Sequence, residues 1–122
     1  MAVHSRRIRR ARARTMPTYM VVAHAMDLVD VEHTLEAMPL CAHGVLFVVS
    51  DNLQVAQVKV PPRFSVTVLP SYSALERAAD AWLTEMTDED ARLCAWFTNS
   101  VRELGKRVCR RFELPAHFGR AF

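Results

Sequence analysis

The stretch that decides the fold is Thr18–Pro39, TYMVVAHAMDLVDVEHTLEAMP. It opens with a short apolar run, Tyr19-Met20-Val21-Val22, that stops at the small residue Ala23. Asp27 then introduces apolar residues at Leu28, Val31, Leu35 and Met38, close to the i, i+3, i+7 spacing of one helical face. A strand, a tight turn and a helix in that order is how open α/β domains begin. Such domains bind ligands outside the carboxyl end of the first strand. The turn Ala23-His24-Ala25-Met26 is therefore the first place to look for a site.

Downstream, the elements keep alternating. The first strand is expected over about 18–23 and the first helix over about 27–37, ended by Pro39. Gly44–Ser50, GVLFVVS, is almost continuously apolar, the mark of a strand buried on both faces of a parallel sheet. Residues 51–62 read as irregular or as a short edge strand, since Val55, Val58 and Val60 alternate only in part. Pro61-Pro62 forces extended backbone before the third strand, Phe64–Leu69.

Ser73 and Glu76 have capping-box spacing and are expected to open the second helix, with Leu75, Ala78, Ala79, Trp82, Leu83 and Met86 facing inward. After the acidic turn Thr87–Asp90, Ala91–Phe97 supplies the fourth strand and the turn behind it. Ser100 and Glu103 form a second capping box. The last helix carries Val101, Leu104, Val108 and Phe112 on one face, and Pro115 stops it. Arg107, Arg110 and Arg111 suit the negative end of its dipole. Ala116–Phe122 is an incomplete final strand or a tail. The pattern predicts a small Rossmann-like α/β sandwich of three layers, with a largely parallel sheet of four to five strands.

The 122 residues suffice for one domain with a proper core, and 51% hydrophobic with 24% charged residues is ordinary for a globular chain. No apolar run approaches the roughly 18 residues of a membrane span, and the basic N-terminus lacks the apolar centre of a secretory signal. No membrane association and a cytoplasmic location are expected. Six arginines fall within the first fourteen residues, and without them the formal net charge of +3 turns mildly acidic. Residues 1–17 are expected to be a disordered Arg-rich arm, and 18–122 the folded domain. The arm is read as a solvated tail rather than as a nucleic-acid arm, because no aromatic residue is interleaved to stack on bases.

Cys41, Cys94 and Cys109 are odd in number and lack CxxC spacing, so unpaired thiols are expected. A metal site drawn from Cys41-Ala42-His43 with His24 or His33 matches no zinc spacing, and none is assigned. No Ser/His/Asp triad, paired carboxylates or P-loop is evident, so no catalytic residue is named.

From Tyr19 to Pro115 the chain resembles the C-terminal, NAD(P)H-binding domain of siderophore-interacting proteins, flavin-dependent ferric-siderophore reductases related to the ferredoxin-reductase superfamily. The residues that carry the resemblance are Leu28 and Leu35-Glu36-Ala37-Met38-Pro39, where the family reads close to ALP…LEALP. Pro61-Pro62 ahead of Val66-Thr67-Val68-Leu69 continues it. Val101-Arg102-Glu103-Leu104, the basic run to Arg111 and Leu114-Pro115 stand where the family has VRALRR…GLP. The order over about a hundred residues is specific, while each piece alone is weak.

The resemblance implies a domain that works with NAD(P)H, and with FAD only through a partner domain. In the family an N-terminal barrel holds the flavin, and electrons pass from NAD(P)H to flavin to siderophore-bound iron. Only the Arg-rich arm precedes the first strand here, so a separate flavin-barrel protein is the expected partner, with a homo-oligomer as the other option. No reductase activity is expected of this chain alone.

The sequence also departs from the family. Ala23, His24, Ala25 and Met26 stand where the family has a turn close to GDET, and Ala23 lacks the freedom of glycine to approach a pyrophosphate. In the ungapped reading Ala95, Trp96 and Phe97 occupy the family's second turn, close to AGE, and two large rings would crowd a nicotinamide. A shifted register instead keeps Trp96 inside the strand and leaves Thr98-Asn99-Ser100 as a polar nest. The candidate cofactor-binding residues are Ala23, His24, Asp27, Trp96, Thr98, Asn99 and Ser100. Ser100 reads first as a helix cap and second as a phosphate or ribose donor. His24 faces an anion or only solvent, and Trp96 and Phe97 are core or interface residues before they are stacking platforms. A degenerate, non-catalytic protein-interaction module of the same fold is the rival reading.

Overall fold

The computed structural model describes residues 17–51, 58–87 and 92–119. The Arg-rich arm up to residue 16, Val55, the acidic turn at 88–90, Ala91 and the last three residues lie outside them.

Five strands, β1 (Thr18–His24), β2 (His43–Val49), β3 (Arg63–Leu69), β4 (Leu93–Phe97) and β5 (Ala116–Phe118), form one sheet in the order β3-β2-β1-β4-β5. Every neighbouring pair is parallel. The helices are α1 (Leu28–Glu36), α2 (Tyr72–Thr87) and α3 (Arg102–Phe112). A 3-10 turn precedes α1 (Ala25–Asp27) and another precedes α3 (Asn99–Val101).

The faces follow from the right-handedness of parallel crossovers. The chain steps one way along the sheet from β1 to β2 and the other way from β3 to β4 and from β4 to β5, so α1 must lie opposite α2 and α3. The core divides accordingly. Val21, Ala23, Leu46, Val48, Phe64 and Trp96 pack with Val31 and Leu35 of α1. Met20, Val22, Phe47, Val49, Ala95 and Phe97 pack with Leu75, Ala79 and Leu83 of α2 and with Leu104, Val108 and Cys109 of α3. Successive residues of β1 and β2 thus bury into opposite layers, which is why Gly44–Ser50 is apolar without alternation. The expected three-layer α/β architecture is the one observed, and β5 completes a five-stranded sheet. Residues 58–62 carry no regular element.

Three local expectations are corrected. The cap of α2 is Ser71, whose Oγ accepts from the Ala74 N–H at 3.1 Å. Ser73 lies exposed inside the first turn, and Glu76, instead of reaching back, accepts from Arg107 and Arg111 of α3, each at 2.8 Å. Arg111 also reaches Asp80 at 2.8 Å. Two of the three arginines assigned to the dipole of α3 therefore tie the two helices together.

The start of α3 carries no side-chain cap from Thr98 or Val101, Ser100 sits exposed within the 3-10 turn, and Glu103 pairs with Lys106 at 3.6 Å. The second capping box does not form. At its other end α3 stops before Pro115, because Glu113 adopts a left-handed conformation (φ 51°, ψ 40°). Leu114 N–H then closes the end on Cys109 O at 3.0 Å.

Gly105 on α3 is set by a close approach. A Cβ there would lie 2.5 Å from Phe97 Cγ, so the helix backbone packs directly on that ring. Phe97 in turn stacks on Phe118 of β5, with centroids 5.7 Å apart.

Candidate functional site

β1 and β4 lie side by side at the centre of the sheet, and their exits diverge toward α1 on one face and α3 on the other. This is the reversal of strand order at which open α/β sheets form a crevice. His24 ends β1 and Thr98 follows β4, so the geometry brings His24, Asp27, Thr98, Asn99 and Ser100 to this one end.

The crevice is closed from inside. Thr98, 3% exposed, donates its backbone N–H to Val22 O at 3.0 Å and its hydroxyl to Asp27 Oδ2 at 2.6 Å. One residue thus joins the exit of β4 both to β1 and to the turn leading into α1. In that turn, His24 Nδ1 accepts from the Met26 N–H at 3.1 Å, and the Leu28 N–H donates to Ala25 O. Two amides that could have faced an anion already have acceptors. The bond to Nδ1 requires that nitrogen to be unprotonated, which puts the ring hydrogen of neutral His24 on Nε2. Asp27, and Asp30 in the first turn of α1, add negative charge where the helix dipole would otherwise favour a phosphate.

Two candidate residues do not line the crevice. Ala23 is fully buried against α1 and reaches the strand end through its backbone alone. Trp96, 2% exposed, faces the α1 layer, and its Nε1 donates to Gly119 O at 3.4 Å. β4 runs through Phe97, so Trp96 and Phe97 are strand residues with alternating faces. The shifted register holds, and the crowding anticipated from the ungapped reading does not arise.

Beside the crevice, on the face of α2 and α3, lies an open cleft of about 290 Å³ lined by Tyr72, Asn99, Ser100, Arg102, Glu103 and Arg107 among others. Tyr72 lies 6.1 Å from His24 between ring centroids, which links the cleft to the end of β1. Tyr72, Arg102 and Arg107 were not singled out from sequence as site residues. Tyr72 could have been, since it follows Pro70-Ser71 directly after β3 and must lie at the carboxyl end of the sheet.

Cys41, Cys94 and Cys109 are free thiols. Burial pushes Cys109 up to about 11, which makes it a poor nucleophile. Among the described residues no group of three or more His, Cys, Asp and Glu is placed to hold a metal ion. None of their helices is long and apolar enough to cross a membrane.

No protein-family model and no curated protein matches the sequence. Among solved structures, the chain is similar to the siderophore-interacting protein SipS from Aeromonas hydrophila, with a TM-score of 0.60 and 17% sequence identity over 79% of this chain. The chain spans 44% of the length of SipS. At that identity the similarity is one of fold.

Proposed function

We propose that this domain is the NAD(P)H-binding half of a flavin-dependent ferric-siderophore reductase, acting with a flavin-binding barrel supplied from outside it. The observation that carries the reading is the withdrawal of Trp96 and Phe97 into β4. The turn at the centre of the sheet is then Thr98-Asn99-Ser100, polar and free of bulk. The fold similarity to SipS supports the same reading.

The residues present fit one part of a nicotinamide dinucleotide and not another. Asn99, Ser100, the Asp27 carboxylate and the Nε2–H of neutral His24 suit ribose hydroxyls and a carboxamide. A pyrophosphate does not fit the β1–α1 turn, where Met26 and Leu28 amides are already bonded and Asp27 repels it. Hydride chemistry, where it occurs, belongs to the nicotinamide and a flavin, and no side chain here is assigned a covalent or proton-transfer role.

A second reading, a non-catalytic protein-interaction module of the same fold, is favoured by the Thr98–Asp27 closure and by Met26 and Val29, exposed apolar residues at the same end. Calorimetric titration with NADPH and NADH separates the two. Binding tighter than about 1 mM, roughly −4 kcal/mol, supports the reductase half. Absence of heat with either nucleotide supports the interaction module. With ferric chelate, NADPH and added flavin, the isolated chain is expected to show no turnover.

A further inference from the structure

We infer that the cleft between the first turns of α2 and α3, and not the β1–α1 turn, is the phosphate-recognition site of this domain, taking a nucleoside phosphate with Arg102 on the phosphate and Tyr72 beneath the base. The inference deepens the reading above and rests on it for the nucleotide class of the ligand.

The charge balance of the cleft singles out one side chain. Arg107 is committed to Glu76 at 2.8 Å, and Glu103 is paired with Lys106 at 3.6 Å. Among the described residues Arg102 makes no ion pair, so it is the uncompensated charge of the lining. Its guanidinium lies against Gly119, whose φ of 76° suits glycine. A Cβ there would fall 3.0 Å from Arg102 Nη2 and 3.4 Å from Asn99 Oδ1. The bare glycine therefore leaves room on which both the guanidinium and the Asn99 amide border, one offering N–H donors to a phosphate and the other a polar edge to a sugar or base.

The aromatic element is Tyr72, 48% exposed at the mouth of the cleft. An exposed ring and an arginine without an ion pair in the lining of one cleft is a combination that can stack a base while binding its phosphate. The volume, about 290 Å³, lies at the low end of ligand sites, roughly 300–1,000 Å³. It suits a mononucleotide-sized group and not a whole dinucleotide. The alternative anion site is closed by the bonded amides and the carboxylate of Asp27, and electrostatics favours the cleft.

The test uses the full chain titrated with adenosine 5′-monophosphate, adenosine and inorganic pyrophosphate, read by backbone amide shifts in NMR. The monophosphate is expected to move Tyr72 and Asn99–Arg102 and to bind at least about tenfold more tightly than adenosine, the range of a hydrogen-bonded charge contact. Arg102→Gln, a surface change, should abolish that preference and leave adenosine binding intact, and Tyr72→Leu should weaken both ligands. Equal binding of monophosphate and adenosine, no binding of either, or shifts centred on Ala25–Leu28 would overturn the inference. If NADPH binds with the same affinity to Arg102→Gln as to the parent, the cleft assignment fails while the reductase reading stands. If the monophosphate seats in the cleft but neither nicotinamide nucleotide binds, the reductase reading fails and the cleft assignment stands.

Discussion

Thr98 Oγ1 lies 2.6 Å from Asp27 Oδ2, joining the exit of the fourth strand to the turn after the first across 71 positions of sequence. The two strands are already neighbours in the sheet. The bond therefore adds nothing to topology. It fixes how far the two exits can spread, and it places a carboxylate at the bottom of the crevice with one oxygen committed.

Because the acceptor is charged and the donor is buried, the pair should couple measurably. Thr98→Val is expected to cost about 1.5–3 kcal/mol, the range for a hydrogen bond to a charged group. A double-mutant cycle with Asp27→Ala should return a coupling of about 1–2 kcal/mol in urea unfolding. Strictly additive single effects would show that the closure is incidental.

The cap of α2 can be assigned by a pair of variants. Ser71→Ala removes the acceptor for the Ala74 amide and should lower stability by about 1 kcal/mol. Ser73→Ala, at an exposed position, should stay within about 0.5 kcal/mol. Thermal unfolding of both decides it, and the reverse ranking would restore the capping box read from sequence.

Glu113 ends α3 with a positive φ of 51°, a conformation that costs a residue with a Cβ roughly 1–2 kcal/mol. Glu113→Gly should therefore stabilise the domain by about 0.5–1 kcal/mol, the relief of strain outweighing the greater freedom of glycine in the unfolded chain. A lower midpoint in denaturant would mean that the Glu113 side chain contributes something its backbone does not.

Hydrogen bonds from Arg107 and then Arg111, working against desolvation, hold the Glu76 carboxyl below the ordinary glutamate range. A depressed carboxyl stabilises the folded state at pH values above its unfolded pKa, and that contribution is lost as pH falls through the lower folded value. The midpoint difference between the parent and Glu76→Gln should be largest near neutrality and shrink below about pH 4.5, the ordinary glutamate value. A difference independent of pH would show that the α2–α3 bridge adds no charge-dependent stability.

Much of this arrangement is legible in the sequence. The continuous apolar run Gly44–Ser50 pointed to a strand covered on both sides, and the spacing of Leu75, Ala79 and Leu83 pointed to an amphipathic helix. Both are local periodicities, written wherever the backbone repeats. The position of Trp96 was not legible in the same way. Leu93–Phe97 is apolar throughout, so no periodicity marks where the strand ends, and only pairing with β1 through Phe97 showed that both rings belong to the layers.

The caps failed for a related reason. Ser71 and Ser73 both carry the chemistry of an N-cap, and Glu76 can bond back only if nothing better is offered. Two arginines on another helix offered better, because a pair of charge-assisted bonds outweighs one bond to an exposed amide. By itself the sequence determined the alternation of elements and the small parallel sheet, since these depend on near-neighbour spacing and the handedness of crossovers. Only the tertiary structure decided that Thr98 meets Asp27 and that, among the described residues, Arg102 is the charge of the adjoining cleft without an ion pair. The Thr98–Asp27 bond spans 71 positions of sequence, and the charge balance of the cleft turns on pairings between α2 and α3; both exist only once the packed sheet brings distant segments together.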